Sequence, residues 1–400
     1  MASQQDGQPS TEVEHGNEPT DNKASDDKIT KVSSDIGTFY EILFLLFGTN
    51  VLMTYNTFLN GIDFYDKLFP NKGVSTSIAR VFNIAASATF FISLPFIERF
   101  SVKLRFYLSS ILTIIINIYT MFYSNSSNPN LNVVLFIVAI SAIVSGILSG
   151  TTMGYSGLFG VNASSMATSG LALSGLFAAM FRILSKLMGS FEGWFYFGIC
   201  ILINIVSLFA FYYFQQTETA EKGIKNSKIS SDFFERWARI TDVFKKVKWY
   251  IFEAALCMII TLTLFPGYAS KTKSKHGLEK WSTTIVLTSY MIGDFLGRIL
   301  TRWYSWPSPP KLIIPHLLRL LFFPFYMLSI QGIILDDDYW IYFITFILAV
   351  SGGFFLTLCI TYTSRDPSLN SDEVELAVFS VTLWLNIGIF IGSWLTYLMP

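Results

Sequence analysis

The chain has 400 residues, of which 52% are hydrophobic, 16% aromatic and only 14% charged, with a mean hydropathy of +0.48. Soluble domains carry about 25% charged residues, so this composition excludes an ordinary soluble fold and reads as an all-α polytopic membrane protein. The formal net charge is zero, which leaves no bulk field to draw a nucleic-acid partner.

Residues 1–35 come first and contain no aromatic residue, with eight acidic residues against three lysines. Such a segment buries too little apolar surface to order itself, so a disordered cytoplasmic tail is expected. It lacks the basic start and short apolar core of a signal peptide. Eleven apolar segments follow, at about 38–61, 77–98, 103–123, 131–160, 167–187, 192–214, 248–268, 281–302, 312–335, 339–363 and 374–398. Each is close to the roughly 20 residues that a helix needs to cross the hydrocarbon layer. Breaker chemistry separates them, as in Asn128-Pro129-Asn130 and Pro307-Ser308-Pro309-Pro310. The weakest break, at 162–169, is marked only by small and polar residues.

Lysine and arginine set the expected orientation. The 215–247 connection holds Lys222, Lys225 and Arg236 among its seven cations, and the 99–105 turn holds Arg99, Lys103 and Arg105. Both fall on one side if the N-terminus is cytoplasmic and the C-terminus external. The opposite side then receives Asn125-Ser126-Ser127, an N-glycosylation pattern. The 269–280 loop, with four lysines, runs against this rule. The expected organisation is a six-helix bundle over 36–214, a cytoplasmic connection over 215–247 and a five-helix bundle over 248–400. Such a 6+5 division points to two bundles that face each other across a midplane site.

The motifs follow the same order. Leu52-Met53-Thr54-Tyr55-Asn56-Thr57 places an aromatic ring beside an amide in the middle of the first segment. The fourth segment carries Gly146, Gly150, Gly154, Gly157 and Gly160 with Ser149 among them. Small residues let helices approach closely; the alternative is that they make room for a solute, with Ser149 as a hydrogen-bonding group. Arg80 and Arg182 lie near segment ends and read as snorkelling cations. Phe265-Pro266-Gly267 ends the seventh segment, as a gate or as a simple terminus. Asp294 and Arg298 are one helical turn apart in the eighth. A lone charge at the bilayer centre costs at least about 2.5–3.5 kcal/mol on insertion scales, so this turn is either a structural ion pair or the place that holds a polar solute. Arg319, in Leu318-Arg319-Leu320-Leu321-Phe322-Phe323-Pro324, either snorkels or binds a carboxylate or helix end from another segment. Cys200, Cys257 and Cys359 read as buried packing residues, and the scattered His15, His276 and His316 argue against zinc or haem, so no cofactor is expected.

These blocks together resemble the equilibrative nucleoside transporter family. Tyr290-Met291-Ile292-Gly293-Asp294-Phe295-Leu296-Gly297-Arg298 is similar to its aromatic-x-x-x-Asp-x-x-Gly/Ser-Arg block in the eighth helix. Arg319-Leu320 to Pro324 resembles its ninth-helix block, Gly150 to Gly175 its glycine-rich run, and Phe265-Pro266 its close of helix seven. The resemblance covers about residues 36–400 and implies a major-facilitator-like fold with eleven helices. It further implies that Asp294 and Arg298 hold ribose hydroxyls and that Tyr55 and Leu52 line the base pocket. Phe265, Pro266, Arg319, Gly150 and Gly154 are read as gating or structural. Ser149 stands where many members have a glutamine, and Gly352-Gly353 replaces the usual Ser-Asn-Gly, a pattern similar to divergent protozoan members.

The expected function is facilitative carriage of nucleosides or nucleobases, purines favoured, by alternating access in the plasma membrane. A sugar or polyol carrier, or a proton-coupled symporter in which Asp294 titrates, are the alternatives. No GxxxxGK[ST] loop is present, which argues against ATP-driven pumping, and no nucleophile or catalytic pair supports an enzyme. The expected partners are the small-molecule solute and the lipid bilayer.

Overall fold

A computed structural model describes residues 37–70, 72, 74–93, 100–225, 233–266, 268–269, 276–277 and 279–399. The expected disordered tail and Arg99 lie outside them. Eleven long rods run through the described residues: α1 (Thr38–Asn60), α2 (Val74–Ser93), α3 (Val102–Ser124), α4 (Leu131–Gly157), α5 (Val161–Ser185), α6 (Glu192–Gln215), α7 (Phe233–Leu264), α8 (Glu279–Leu300), α9 (Pro309–Ile330), α10 (Asp338–Thr363) and α11 (Val374–Leu395). Eight helical stretches among the described residues are long and apolar enough to cross a membrane, one of them the 55-residue run that joins α5 and α6. The α9 rod is broken into Ile313–Leu318, a 3-10 turn at Arg319–Leu321 and Phe322–Ile330. Pro315 and Pro324 each remove a backbone donor there, which favours such interruptions.

Lipid offers no hydrophobic drive for helix association, so close backbone approach decides the pairing. A Cβ on Gly48 of α1 would lie 1.9 Å from Ala167 O of α5, and one on Gly170 would lie 2.1 Å from Leu45 O. Gly293 and Gly297 of α8 press likewise on Phe346 O and Val350 O of α10. Gly388 and Gly392 of α11 press on Ala255 O and Ile259 O of α7. In the last two pairs the glycines are one turn apart, so a continuous groove forms along one helix face.

The helices alternate in direction. The starts of α1, α3 and α11 meet the ends of α4 and α8 through Glu41–Arg302, Arg105–Glu375 and the Gly154–Glu375 crossing. At the other end, Asp63 after α1 meets Arg182 at the end of α5 and Glu192 at the start of α6. Helices α1–α6 and α7–α11 touch each other chiefly through α5 with α8 and α10, and through α11 with α2 and α4.

Three expectations change. The break between α4 and α5 lies at 158–160, not 162–169, because Gly160 turns the chain at φ 90°, a region that favours glycine. The 215–247 stretch is largely helical: Glu218–Lys225 forms a short helix and α7 starts at Phe233. Arg182 does not snorkel. It is 4% exposed, with Nε 2.7 Å from Asp63 Oδ1, Nη2 2.8 Å from Asp63 Oδ2 and Nη2 2.5 Å from Glu192 Oε1, because two acidic residues converge on it from the adjacent turns. Burial pushes the Asp63 carboxyl up, but Arg182 and Lys186 outweigh it and hold the group below the usual carboxylate value. Apart from these changes, Asn125 of the glycosylation pattern donates to Met121 O at 2.6 Å and packs against Gly193.

Candidate functional site

The site is built on α8, where one helical turn brings Asp294 and Arg298 to the same face. Arg298 Nε donates to both carboxylate oxygens, at 3.1 Å to Oδ1 and 3.0 Å to Oδ2. Its Nη1 donates to Thr168 O of α5 at 3.3 Å. Arg298 Nη2 makes no hydrogen bond among the described residues, although the residue is only 7% exposed. A guanidinium has five N–H donors and a carboxylate about four acceptor sites, so the pair keeps unused donors and acceptors in a largely desolvated place.

A second element fixes this pair. A Cβ on Gly353 of α10 would lie 2.7 Å from Asp294 Oδ1, 2.5 Å from Asp294 O and 3.2 Å from Arg298 Cγ. Any side chain there would displace the carboxylate. Gly352 has the same relation to the other buried arginine: its Cβ would meet Arg319 Nη2 at 2.8 Å. The glycine pair therefore loses no contact by lacking side chains; it provides the space in which both arginines sit.

Arg319 is 2% exposed and neither snorkels nor meets a carboxylate among the described residues. Its Nε donates to Ser351 Oγ at 3.2 Å, and its Nη1 to Cys257 O at 3.2 Å and Cys257 Sγ at 2.8 Å. Its Nη2 donates to Thr261 Oγ1 at 2.7 Å and Leu348 O at 3.2 Å. Those five partners match its donor count, so the guanidinium is saturated and ties α9 to α7 and α10.

Apart from Thr168, the first-half residues expected at the site, Tyr55, Leu52 and Ser149, make no hydrogen bond to the pair among the described residues. Tyr55 of α1 is half-buried and stacks on Phe82 of α2 with centroids 4.0 Å apart and planes at 28°. Next to it, Asn56 Nδ2 donates to Ser174 Oγ of α5 at 2.7 Å. Gly175 follows Ser174, and a Cβ there would lie 2.4 Å from Met291 Sδ and 3.6 Å from Asn56 Cγ. Helices α1, α5 and α8 thus meet within one turn of Asp294. Leu52 is partly buried against the main core. Ser149 is 8% exposed, and its hydroxyl has no hydrogen-bond partner among the described residues.

Phe265 is buried and stacks on Tyr290 of α8 at 3.8 Å and 6°, while Pro266 follows the last turn of α7. The glycines of α4 leave room for α11: Cβ atoms on Gly150 and Gly154 would meet Phe379 Cε2 at 2.1 Å and Glu375 Cγ at 2.9 Å. A helix from the other half, not an open space, fills that face.

Sequence reasoning missed Thr168, because a backbone acceptor has no sequence signature. It also missed the role of Gly353, although two adjacent glycines inside an apolar helix cost about 1 kcal/mol each relative to alanine and so signal a spatial demand. His276, Asp337 and Asp338 form a further cluster whose ligating atoms lie within 4.8 Å of one another. A separation of 61 residues hid the pairing of His276 with Asp337, 3.2 Å apart. The backbone N–H of Tyr339, with His276, holds the Asp337 carboxyl below its ordinary value.

A family model described as "Nucleoside transporter" matches residues 134–400. The chain is similar to equilibrative nucleotide transporter 8 of Arabidopsis thaliana, with 22% identity over 368 residues that cover 88% of this chain and 93% of the relative. It is also similar to equilibrative nucleoside transporter 2 of Rattus norvegicus, with 34% identity over 173 residues that cover 39% of this chain and 37% of the relative. Among solved structures, a bacterial homologue of the iron transporter ferroportin in an outward-facing state matches with a TM-score of 0.63 at 14% identity, covering 90% of this chain and 92% of that one. The major facilitator superfamily proton:xylose symporter XylE matches with a TM-score of 0.60 at 12% identity, covering 89% and 87%. At these identities the two structures share the fold alone.

Proposed function

The chain belongs to the nucleoside transporter family, and from that premise we propose that it carries nucleosides through a multi-pass membrane fold by facilitative alternating access, with the ribose held by Asp294 and Arg298. The observation that carries this reading is the unused Nη2 of Arg298 beside a carboxylate with spare acceptor sites. A vicinal diol has hydroxyls that both donate and accept, so one can donate to Asp294 while the other accepts from Arg298. Tyr55 offers a flat face for a base, and the free hydroxyl of Ser149 offers a single polar contact. A short hydroxyl reaches less far than an amide and reads the base less selectively.

Alternating access needs links between the halves that can break. At the end where α1 begins, Arg105 Nη2 lies 2.5 Å from Glu375 Oε1, Glu41 Oε2 lies 2.7 Å from Arg302 Nη2 and Ser165 Oγ lies 2.7 Å from Thr301 Oγ1. The Glu41 contact is close in distance but is not aligned as a hydrogen bond at Oε2. At the other end the described links include Asn83 to Ser393 at 3.1 Å, Ser87 to Asn386 O at 3.3 Å and a cation–π contact of Arg80 over Trp394 at 5.7 Å. Charged links regain water when the halves part, which lowers the cost of opening. We assign the α1-start end to the cytoplasm and the membrane to the plasma membrane, on the Lys/Arg bias and the family likeness.

Uptake of labelled adenosine by proteoliposomes tests the proposal. Saturable uptake that unlabelled inosine competes with is expected; uptake of a sugar that adenosine does not inhibit would overturn it.

A further inference from the structure

The second half buries two titratable groups that the solute site does not use. Glu253 of α7 is 4% exposed, and His316 near the start of α9 is fully buried. His316 Nδ1 lies 2.9 Å from Leu312 O, which assigns the Nδ1 as the N–H donor and leaves Nε2 with a lone pair. Neither this Nε2 nor Glu253 Oε2 has a hydrogen-bond partner among the described residues, and both atoms are sealed from solvent. Both residues lie about one turn before the contact that Arg319 of α9 makes with Cys257 of α7.

Their placement follows from the lock that Arg319 makes. Arg319 lies three residues after His316 on α9, and Cys257, which it grips, lies four residues after Glu253 on α7. One turn from the lock, the same two helices therefore turn Glu253 and His316 towards each other. The other charged or titratable groups around them are Tyr250 and Cys257 on α7, Arg319 on α9, Cys359 on α10 and Asp366 beside Tyr250.

Three proton inventories are available. With no proton on the two orphan atoms, the carboxylate is ionised and has no donor, which is costly in a dry interior. With two, an imidazolium sits beside a neutral acid and near Arg319, a like charge. With one, the pair is neutral overall: the acid donates to the imidazole, or the imidazolium donates to the carboxylate. Only that inventory supplies a donor and an acceptor for the two orphan atoms together.

We propose that Glu253 and His316 together form a proton-binding site in the second half, and that one proton held there favours the conformation in which the α1-start end is closed. A ligand that binds one conformer better than another shifts the equilibrium between them by that difference. Transport thereby becomes pH-dependent through this pair, without any change at Asp294. The inference rests on the transport reading, since it assigns the proton a role in the same cycle.

The test uses the full chain in proteoliposomes at equal internal and external pH, stepped from mildly acidic to mildly alkaline, with labelled adenosine as probe. Wild-type uptake is expected to change several-fold across that range. Glu253→Gln and His316→Gln are each expected to carry adenosine with a flat profile, and if one variant fails to reach the membrane the other makes the same prediction. Variants that transport with the wild-type profile, or a flat wild type, would overturn the proposal. A second measurement needs no solute: the pH dependence of the thermal unfolding midpoint of purified protein should diminish in Glu253→Gln, and an unchanged dependence overturns the site. A wild type that carries no adenosine at any pH counts instead against the nucleoside reading, and the unfolding measurement then decides this one alone.

Discussion

Two buried arginines of the second half, Arg298 and Arg319, differ in what they have left to offer. Both are nearly sealed from solvent, and both sit against a glycine of α10 whose missing side chain provides their space. Arg319 has five partners for five N–H groups and no carboxylate among them. Arg298 has one carboxylate, one backbone carbonyl and an idle Nη2. Burial of a charge therefore does not by itself mark a binding residue, and the proposed role of Arg298 rests on the donors it has left over. A saturated guanidinium stabilises the fold, while an unsaturated one inside a protein that must bind polar solutes is available to them.

The sharpest way to break this comparison is to remove the unsaturated member. Arg298→Ala and Asp294→Ala are each expected to abolish uptake while surface expression stays close to wild type. Hydrogen bonds to charged groups contribute about 1.5–3 kcal/mol, so loss of one such contact should weaken adenosine binding roughly 10- to 150-fold. Normal uptake by both variants would make the pair structural.

Removal of the saturated member should do the opposite. Arg319→Met keeps the apolar stem but abandons the α7 and α10 acceptors. It should cost about 3 kcal/mol of stability, read as a lower unfolding midpoint and less surface protein, with near-normal uptake per surviving molecule. Uptake lost at wild-type stability would contradict the assignment.

Gly353→Ala sharpens the comparison from the backbone side. Its Cβ would collide with Asp294 O and Oδ1, and both helices are tightly packed, so uptake should fall about tenfold, the effect of a loss of about 1.4 kcal/mol in solute binding. Gly352→Ala, which crowds Arg319, should lower stability more than affinity. The smallest effect is expected at Ser149→Gln. A longer amide should alter the ratio of purine to pyrimidine uptake about fivefold, the effect of roughly 1 kcal/mol from a neutral hydrogen bond. An unchanged ratio would place Ser149 outside the base pocket.

Much of this was legible in the sequence because membrane helices announce themselves by length and apolarity. The spacing of Asp294 and Arg298 within one turn was likewise a local fact, and the structure joins them as the spacing implied. What failed was non-local. Arg182 looked like a snorkelling cation because Asp63, 119 residues away, could not be placed beside it. Arg319 read as a snorkelling cation or the partner of a carboxylate or helix end, because its actual partners are hydroxyls, a thiol and carbonyls, groups that carry no sequence signature. Gly352 and Gly353 read only as a departure from the family pattern, and the space they give depends on which side chains α8 and α9 press against them. The boundary at Gly160 was misplaced by a few residues because a single positive φ, not a polar run, ends α4.

The most direct test is equilibrium binding of labelled adenosine to purified Arg298→Ala and Arg319→Met, each normalised to folded protein. The account predicts that Arg298→Ala loses binding while Arg319→Met binds as the wild type does. Retained binding in Arg298→Ala, or lost binding in a folded Arg319→Met, would contradict it.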